Sequence, residues 1–405
     1  MNRENHTSLP RPQTLEITTS RPKLGLILAF ALLVFGVSAI VLGLRGNIAA
    51  RQGWTEIMAN APQNEDCSAE FSFRYRLGKN ATAEYRRAVE VYTEASARAF
   101  EVFHATRSFE GVGNLRSVNA AVNEPAAVED ELYAALELLE SCGDRSIYLA
   151  PVYSQLDAVF RSVSDDEAAA YDPALDAEAR DYVERFLAFA TDPDSVRIEL
   201  LGDGRVCLRV SEDYLALARE YGVDCFVDFY WMRNAFAADL IADRLLEAGL
   251  TNGFLVSTDG FGRCLDSGDE IYALRVTDMR GEELTGSAEF CYRGPLALAD
   301  LRSFPQTEGT EDYYYRYADG AVRTPYLSDG DGRERCAISE LYLCSRELGC
   351  AELLMLAKPI FIAESFESAA ADALSSRGAA ALCFADGELY QNAAARALLT
   401  PAEEG

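Results

Sequence analysis

The sequence predicts an α+β fold, with antiparallel sheets and packed helices in one domain, preceded by a single transmembrane helix. Apolar residues recur at helical spacing in several segments, of which Thr82–Arg107 and Asn234–Ala248 are the clearest. Between the helices lie β-rich runs joined by turn signals such as Gly202-Asp203-Gly204 and Asp386-Gly387. Helices mixed with antiparallel hairpins are typical of α+β proteins.

The remaining elements follow from the same two periodicities. Further helices are predicted at Glu129–Cys142, Ala177–Ala190, Ser211–Tyr221, Cys350–Phe361 and Ser365–Ser376. Strands are predicted at Phe71–Arg76, Cys225–Tyr230, Phe254–Thr258, Glu270–Thr277, Ala288–Tyr292, Tyr313–Ala318 and Arg335–Leu343, with a final hairpin in Ala379–Gln391. No internal repeat is visible.

The segment Leu24–Leu44 is predicted to be a membrane anchor. It carries no charge, and its twenty-one residues, at about 1.5 Å per residue, span a hydrocarbon core of about 30 Å. A cleavable signal peptide is the alternative, but its apolar region usually has only about 7–15 residues and ends at a small-residue site. Here Arg45 follows the run at once, which favours the anchor.

The basic residues beside the anchor predict its direction. Four precede it and two follow it, namely Arg3, Arg11, Arg21 and Lys23 before, and Arg45 and Arg51 after. This bias favours a cytoplasmic N-terminus, and hence a single-pass protein of the cell membrane with its globular region outside. The predicted organisation is a disordered cytoplasmic tail at 1–23, the anchor at 24–44, a linker with a short strand at 45–80, the globular domain at 81–391 and a C-terminal tail at 392–405.

The charge distribution excludes one class of partner. The chain has a formal net charge of −28, and residues 1–45 hold five Lys or Arg against two Asp or Glu. The remaining residues therefore carry −31, and a region that acidic repels phosphate backbones and anionic lipid headgroups. We expect no nucleic-acid binding, and we expect membrane contact through the anchor alone.

All ten cysteines follow the anchor, and an even number in an exported region suits disulfides. They are scattered, however, without a C-x-x-C motif that would indicate zinc or redox chemistry. Several, among them Cys207 and Cys383, lie in apolar runs where a free thiol acts as a small hydrophobe. The sequence leaves both readings open.

The segment Asp228–Asp239 carries a family resemblance. It reads DFYWMRNAFAAD and is followed by LIADRLLEAGLTNGFLVSTDG. This resembles the core of the FAD:protein FMN transferases, the ApbE-like flavin transferases, whose pattern runs D-x-G-G-x-x-K-G-x-x-x-D, then a helix, then G-x-x-N-x-x-V-N-x-G-G. The two aspartates keep their spacing, and Gly249 and Gly260 fall into place.

Four more pieces extend the resemblance over about 81–391. The stretch NLRSVN is similar to the family's S-E-[IL]-S-x-L-N, with Asn119 at its Asn, and YLAPVYSQLDAVF, YYYRYADGAVRTPYLSDGDG and LGCAELLMLAKPIFI resemble three later segments. The resemblance implies an ApbE-like, T-fold-related domain with FAD and magnesium as cofactors. It assigns candidate FAD-binding residues at Asn119, Asp228, Asp239, Asp259 and Gly260. A metal ligand is implied at Glu352, acting with Asp259 or through water.

The departures from the family pattern fall where its chemistry should be. Its glycines are replaced by Tyr230 and Trp231, and its lysine by Asn234. In the metal-binding helix its Asp and Thr become Glu352 and Leu356, and Leu supplies no oxygen to magnesium. The family histidine falls near Pro325, and the only two histidines of the chain are His6 and His104. We therefore assign no catalytic residue.

Three interpretations of function remain open. The chain is a catalytically degenerate relative that binds a partner or ligand outside the cytoplasm, or an active transferase moving FMN with magnesium onto Ser or Thr of an exported acceptor, or an unrelated exported protein. Asp239 has a plain alternative as a solvated residue of an amphipathic helix, and Asp228 as the end of a strand. Tyr230 and Trp231 either fill the flavin cleft or form an exposed platform, and filling is favoured.

Overall fold

The computed structural model describes residues 52–60, 65–281, 283–305 and 313–402. Its strands are β1 Gly53–Glu56, β2 Phe71–Leu77, β3 Pro125–Ala127, β4 Val196–Gly202, β5 Arg205–Val210, β6 Gly253–Ser257, β7 Phe261–Cys264, β8 Ile271–Arg280, β9 Glu283–Arg293, β10 Leu296–Arg302, β11 Tyr315–Arg316, β12 Val322–Arg323, β13 Glu340–Ser345, β14 Ala380–Ala385, β15 Glu388–Gln391 and β16 Thr400–Pro401. Its α-helices are α1 Ala81–Phe103, α2 Leu115–Ala120, α3 Asp130–Cys142, α4 Ala150–Phe160, α5 Asp165–Tyr171, α6 Ala177–Ala190, α7 Glu212–Tyr221, α8 Arg233–Glu247, α9 Cys350–Phe361, α10 Ser368–Ala373 and α11 Ala393–Leu398.

A sheet of eight strands forms the centre of the domain. Its order is β1-β2-β6-β7-β10-β13-β14-β15, and every neighbouring pair is antiparallel. Smaller sheets have the orders β3-β5-β4, β16-β9-β8 and β11-β12. The antiparallel sheets and packed helices confirm the predicted α+β class.

The long helices cover one face of the central sheet. Helices α1 and α8 pack against each other, and α9 packs on β10 and β13. In β2 the side chains alternate, so that Phe71, Phe73, Tyr75 and Leu77 are buried against this layer. Fully burying a side chain of this size contributes about 1.5–3 kcal/mol, so this layer fixes the position of the site-bearing helix α8. The β8–β9 hairpin and α11 cover the other face with a separate apolar cluster.

The compact domain is longer than predicted at both ends. Strands β1 and β2, placed in the linker by the sequence, form the edge of the central sheet. At the other end, Asn392 is buried and caps α11, and β16 pairs with β9. Residues 392–402 are therefore part of the fold rather than a tail, because they complete the second apolar cluster.

Most predicted elements are present, with one instructive exception. The strand predicted at Cys225–Tyr230 is absent, because the side chain of Asn119 takes the backbone groups of Phe226 and Val227 that a neighbouring strand would need. The strand predicted at Arg335–Leu343 begins only at Glu340.

The ten cysteines are free thiols in the structure, which corresponds to the second of the two readings. Burial raises the pKa of Cys67, Cys225 and Cys383 to about 12, so these thiols are protonated and unreactive at neutral pH. No helix among the described residues is long and apolar enough to cross a membrane, and the predicted anchor at 24–44 lies outside them.

Candidate functional site

The side chain of Asn119 ties down the loop that leads to α8. Its Oδ1 accepts hydrogen bonds from the backbone N–H groups of Phe226 at 2.9 Å and Val227 at 3.1 Å. Its Nδ2 donates to the carbonyl of Val227 at 2.9 Å and to that of Ala105 at 3.3 Å. Asn119 is almost fully buried, so these contacts use its hydrogen-bonding capacity. It holds the loop and does not face a ligand.

Asp228 follows this loop and borders a cleft of about 1110 Å³. Its backbone N–H donates to the carbonyl of Ile147, and its Oδ1 accepts from the N–H of Tyr230 at 3.0 Å. Burial raises the pKa of Asp228, and the nearby charge of Arg233 only partly opposes that shift. Asp228 is thus a carboxyl held in place by backbone, with room on one side for a ligand.

Tyr230 takes the place of a family glycine and keeps a glycine-like backbone. Its φ is +46°, in the left-handed region that side chains other than glycine rarely adopt. Its ring stacks on Tyr153 with centroids 4.8 Å apart, and meets Tyr313 edge-on at 4.9 Å. Aromatic packing of this kind offsets a backbone strain of about 1 kcal/mol.

Trp231 takes the place of the second glycine, and its ring points inward. It is 3% exposed, meets Tyr326 edge-on with centroids 5.0 Å apart, and donates its indole N–H to Tyr153 at 3.4 Å. The ammonium of Lys358, itself paired with Asp144, lies 5.8 Å from the ring centroid. Trp231 therefore fills space inside the domain, and the exposed platform considered above is excluded for this residue.

Two departures from the family pattern meet in space. Asn234, at the family's lysine, donates from Nδ2 to Oδ2 of Asp259, at a family glycine, over 3.0 Å. The hydroxyl of Ser257 donates to the other carboxyl oxygen at 2.5 Å. Burial raises the pKa of Asp259 to about 6, although both hydrogen bonds favour its charged form. The Oδ1 of Asn234 is buried without a partner, which leaves this small network incompletely satisfied.

Gly260 is required by the backbone rather than by a ligand. Its φ is +106°, and a Cβ at this position would lie 2.3 Å from the carbonyl oxygen of Asp300. The N–H of Asp300 donates to the carbonyl of Gly260 at 3.0 Å, joining the β6–β7 turn to β10.

Asp239 and Glu352 meet at the start of α9, where both serve as caps. The two oxygens of Asp239 accept from the first helical N–H groups, those of Cys350 and Ala351, each at 2.9 Å, and Oδ1 also pairs with Arg263 at 2.5 Å. Glu352 is exposed and its Oε2 accepts from the N–H of Gly349 at 2.9 Å. Free helix N–H groups attract carboxylates in this way. Asp239 is therefore a structural cap of α9 rather than a free, solvated residue of an amphipathic helix.

The candidate residues border two very different spaces. Asp228 and Tyr230 line a cleft of about 1110 Å³ between α4, the end of α1 and the loop after α7. Trp231, Asp259 and Pro325 line a cavity of only about 70 Å³. The ring of Tyr313 borders both. The candidates therefore do not converge on one site, and Asn119, Asp239 and Glu352 border neither space.

Sequence reasoning missed much of the large cleft. His104, Tyr153, Asp157, Arg161 and Arg233 all line it. They come from three helices, and no spacing along the chain connects them. The one signal available was that YLAPVYSQLDAVF, which contains Tyr153 and Asp157, matched a family segment.

Three solved structures resemble the fold of this chain over most of its length. The ApbE protein of Thermotoga maritima superposes with a TM-score of 0.58 at 16% identity, covering 85% of this chain and 98% of that protein. The fold is that of the ApbE flavin transferases. The flavin transferase ApbE of Vibrio cholerae gives a TM-score of 0.52 at 12% identity, covering 81% of this chain and 95% of that one. The Pseudomonas stutzeri flavinyl transferase ApbE, in its apo form, gives 0.50 at 13%, covering 82% and 94%.

The resemblance to ApbE is thus confirmed in three dimensions, as a divergent member of the fold. No protein-family model and no curated protein sequence matches the chain. At 12–16% identity the ApbE likeness lies in the arrangement of elements, so the function of this ApbE-like chain has to be argued from its own side chains.

The buried carboxyl of Asp259 gives the domain a pH-dependent stability. Its pKa is about 6 in the folded state against an ordinary 3.8, so the folded state binds the proton more tightly. The resulting stabilisation is fully present below about pH 3.8 and is lost as the pH rises through about 6. We expect Asp259→Asn to stabilise the domain by about 3 kcal/mol at pH 8 and by well under 1 kcal/mol at pH 4.

Urea denaturation followed by tryptophan fluorescence measures this difference. The substitution keeps the shape, and a rotated Asn234 amide can accept from the new NH₂ group. Asp181→Asn, an exposed change on α6, is the control and should alter neither midpoint. An equal gain at both pH values would contradict the assignment of a raised pKa to Asp259.

Proposed function

We propose that this chain is a membrane-tethered ApbE-fold protein that does not transfer FMN and that acts outside the cytoplasm by binding a ligand or partner. The hydrogen bond between Asn234 and Asp259 is the observation that carries this proposal. These residues stand at the places of a lysine and a glycine in the flavin-transferase pattern. A positive charge is thereby lost and a negative one gained.

The charge exchange disfavours a dinucleotide. A lysine ammonium is a natural partner for a pyrophosphate, whereas Asn234 contributes no charge. Asp259, once ionised, repels a phosphate at close range, and Glu70 adds to the negative potential there. The side chains of Asn234 and Asp259 therefore do not fit the pyrophosphate of FAD.

The available space points the same way. Pockets for drug-sized ligands enclose about 300–1,000 Å³, and the cavity beside Asp259 has about 70 Å³. The rings of Trp231, Tyr313 and Tyr326 take up the remaining volume. A flavin could enter the cavity beside Asp259 only if several aromatic side chains around it moved together.

Magnesium also fits poorly at the predicted position. Glu352 bonds to Gly349, and Leu356, one turn further along α9, is buried and offers no oxygen. Magnesium needs near-octahedral oxygen coordination. Among the described residues no group of three or more His, Cys, Asp or Glu side chains could hold a metal ion.

The predicted anchor supplies the location in this proposal. The uncharged run at 24–44 with basic residues before it favours a domain on the outer side. The charge of −31 beyond residue 45 keeps that domain away from anionic lipid surfaces. Protease protection of the full chain in sealed right-side-out membrane vesicles tests this orientation. The lumen of such vesicles corresponds to the cytoplasm, so a globular domain that is protected from the protease would refute the proposed orientation.

Flavin transfer is the decisive test of the proposal. The full-length chain in detergent micelles is incubated with FAD, magnesium and an acceptor peptide of the family, with the Vibrio cholerae enzyme as positive control. We expect no covalent flavin on the peptide. Covalent FMN, detected by mass and fluorescence, would establish the alternative function, an active transferase with a rearranged site.

Restoring the lost groups gives a matched gain-of-function measurement. The double substitution Asn234→Lys with Asp259→Gly returns the positive charge and removes the carboxylate. We expect FAD affinity to rise at least roughly tenfold over the parent chain, since a charge-assisted contact to phosphate is worth about 1.5–3 kcal/mol. Equal affinity in both proteins would mean that this pair does not limit FAD binding.

A further inference from the structure

The cleft of about 1110 Å³ beside Asp228 is distinct from the small cavity beside Asp259 and has the size of a binding site of its own. Helix α4 forms one wall, and the end of α1 with the loop after α7 forms the other. Its volume lies slightly above the range of about 300–1,000 Å³ for small-molecule sites. The cleft is open, so a ligand can enter it without moving the core.

Charge in the cleft is unbalanced. Four carboxylates line it against two guanidinium groups, namely Glu70, Asp157, Asp224 and Asp228 against Arg161 and Arg233. Both guanidinium groups are already neutralised within the domain. Arg233 donates to both oxygens of Glu70 at 2.5 and 2.6 Å, and Arg161 pairs with Asp157 at 2.7 Å.

Asp228 differs from the other three carboxylates of the cleft, each of which pairs with an arginine. Asp224 pairs with Arg116 at 2.9 Å, whereas Asp228 makes no ion pair with any residue in the described part of the chain. The backbone N–H groups of Tyr230 and Phe229 hold the carboxyl in place without neutralising its charge. A partly buried carboxylate without a cation is costly unless a ligand supplies one.

Aromatic rings stand beside this carboxyl. Tyr153 and Tyr230 stack, Tyr313 meets Tyr230 edge-on, and all three border the cleft. Ring faces attract ammonium and guanidinium groups, and burial strengthens the attraction. A cation at Asp228 would also lie beside the partly exposed ring of Tyr230, while the nearby guanidinium of Arg233 is already paired with Glu70.

The one histidine of the cleft does not oppose a cation. His104 accepts the N–H groups of Thr106 and Arg107 at Nδ1, at 3.3 and 3.1 Å. Burial lowers its pKa, and the neighbouring Arg233 and Arg107 lower it further. His104 is therefore neutral at physiological pH, and the overall acidity of the domain adds long-range attraction for positive ligands.

We propose that the cleft binds an organic cation, an alkylammonium or guanidinium group seated at Asp228 beside the ring of Tyr230, which is backed by the buried ring of Tyr153. This deepens the proposed function and rests on it, because a binding protein rather than a flavin transferase has use for such a cleft. The same chemistry occurs in a free polyamine and in a basic side chain of a partner protein. Net charge, cleft volume and ring placement all favour a cation over an anionic nucleotide.

Calorimetric titration of the full chain in nonionic micelles tests the proposal with two probes. Spermidine represents the free polyamine, and a short arginine peptide represents the protein source, with its citrulline counterpart as neutral control. We expect saturable binding of at least one cation, weakened by salt, and no binding of the citrulline peptide. Tighter binding of the peptide assigns the ligand to a partner protein, and tighter binding of spermidine assigns it to a free amine.

Two variants check the location. Asp228→Asn keeps the acceptor for the N–H of Tyr230 and should lower affinity at least roughly tenfold, while Asp181→Asn on α6 should leave it unchanged. Asp157→Asn frees Arg161 to act as an internal competitor and should also weaken binding. Absence of cation binding, or full affinity in both cleft variants, would overturn the proposal. The transfer assay separates the two ideas, since no transfer and no cation binding would refute only this inference.

Discussion

Replacing Asp239 by alanine is expected to cost the domain about 3–4 kcal/mol of unfolding free energy. The change removes acceptors from the N–H groups of Cys350 and Ala351 and leaves Arg263 largely buried without its main partner. Loss of a helix cap costs about 1 kcal/mol, and breaking a buried ion pair from one side costs about 3–5 kcal/mol. Asp239 is about one-fifth exposed, so the lower part of that range applies.

Asp243 provides a matched control for this experiment. It lies one turn further along α8 and faces the same Arg263 at 3.6 Å, but its side chain is 63% exposed. Asp243→Asn should change the free energy of unfolding by less than about 0.5 kcal/mol. If Asp239→Ala changed the free energy of unfolding as little as the control and altered ligand binding instead, the capping contacts would not stabilise the domain. Asp239 would then have to be assigned to ligand binding.

The two aspartates of the family pattern show how far sequence reasoning reaches. Their spacing placed Asp228 before α8 and Asp239 on it, and the structure has both there. Whether Asp239 meets solvent, a ligand or another helix depends on where α9 begins, more than a hundred residues later in the chain. Gly349 lets the two helices approach, because a Cβ there would lie 2.5 Å from a carboxyl oxygen of Asp239.

Local patterns predicted regular elements well and failed where side chains replace backbone pairing. Helices with a strong apolar period, such as Ala177–Ala190 and Cys350–Phe361, have their predicted bounds. The apolar run at 225–230 has strand composition, yet Asn119 satisfies its backbone from outside any sheet. A sequence cannot show that a distant amide competes with strand pairing.

The site shows the same limit. Asn234 and Asp259 each departed from the pattern, and each could be read as a separate loss. Their hydrogen bond shows that the two departures are linked. The amide of Asn234 donates to the carboxylate of Asp259, which stands where the family has a glycine, and so stabilises its charged form. Tyr230 also retains a feature of the family pattern, because its backbone has the positive φ that is typical of a glycine at that position. The cleft at Asp228 is assembled from three helices and their loops, so only the folded chain reveals its charge.

Asn119→Ala is expected to destabilise the domain by about 3 kcal/mol and to weaken cation binding as well. The change leaves buried backbone groups of Ala105, Phe226 and Val227 without their side-chain partner, and each such orphan costs about 1–3 kcal/mol. The released loop leads directly into Asp228. Urea denaturation and spermidine titration therefore report on one substitution through two independent readouts.

Asn80→Ala is the control for both measurements. Asn80 precedes α1, is exposed, and makes no side-chain hydrogen bond to that helix, so neither stability nor binding should change by more than about 0.5 kcal/mol. If Asn119 bound the ligand directly, its removal would abolish binding while costing little stability, because ligand contacts do not hold the free domain together. The observed contacts run from Asn119 to backbone on both sides of the loop, so stability and binding should fall together.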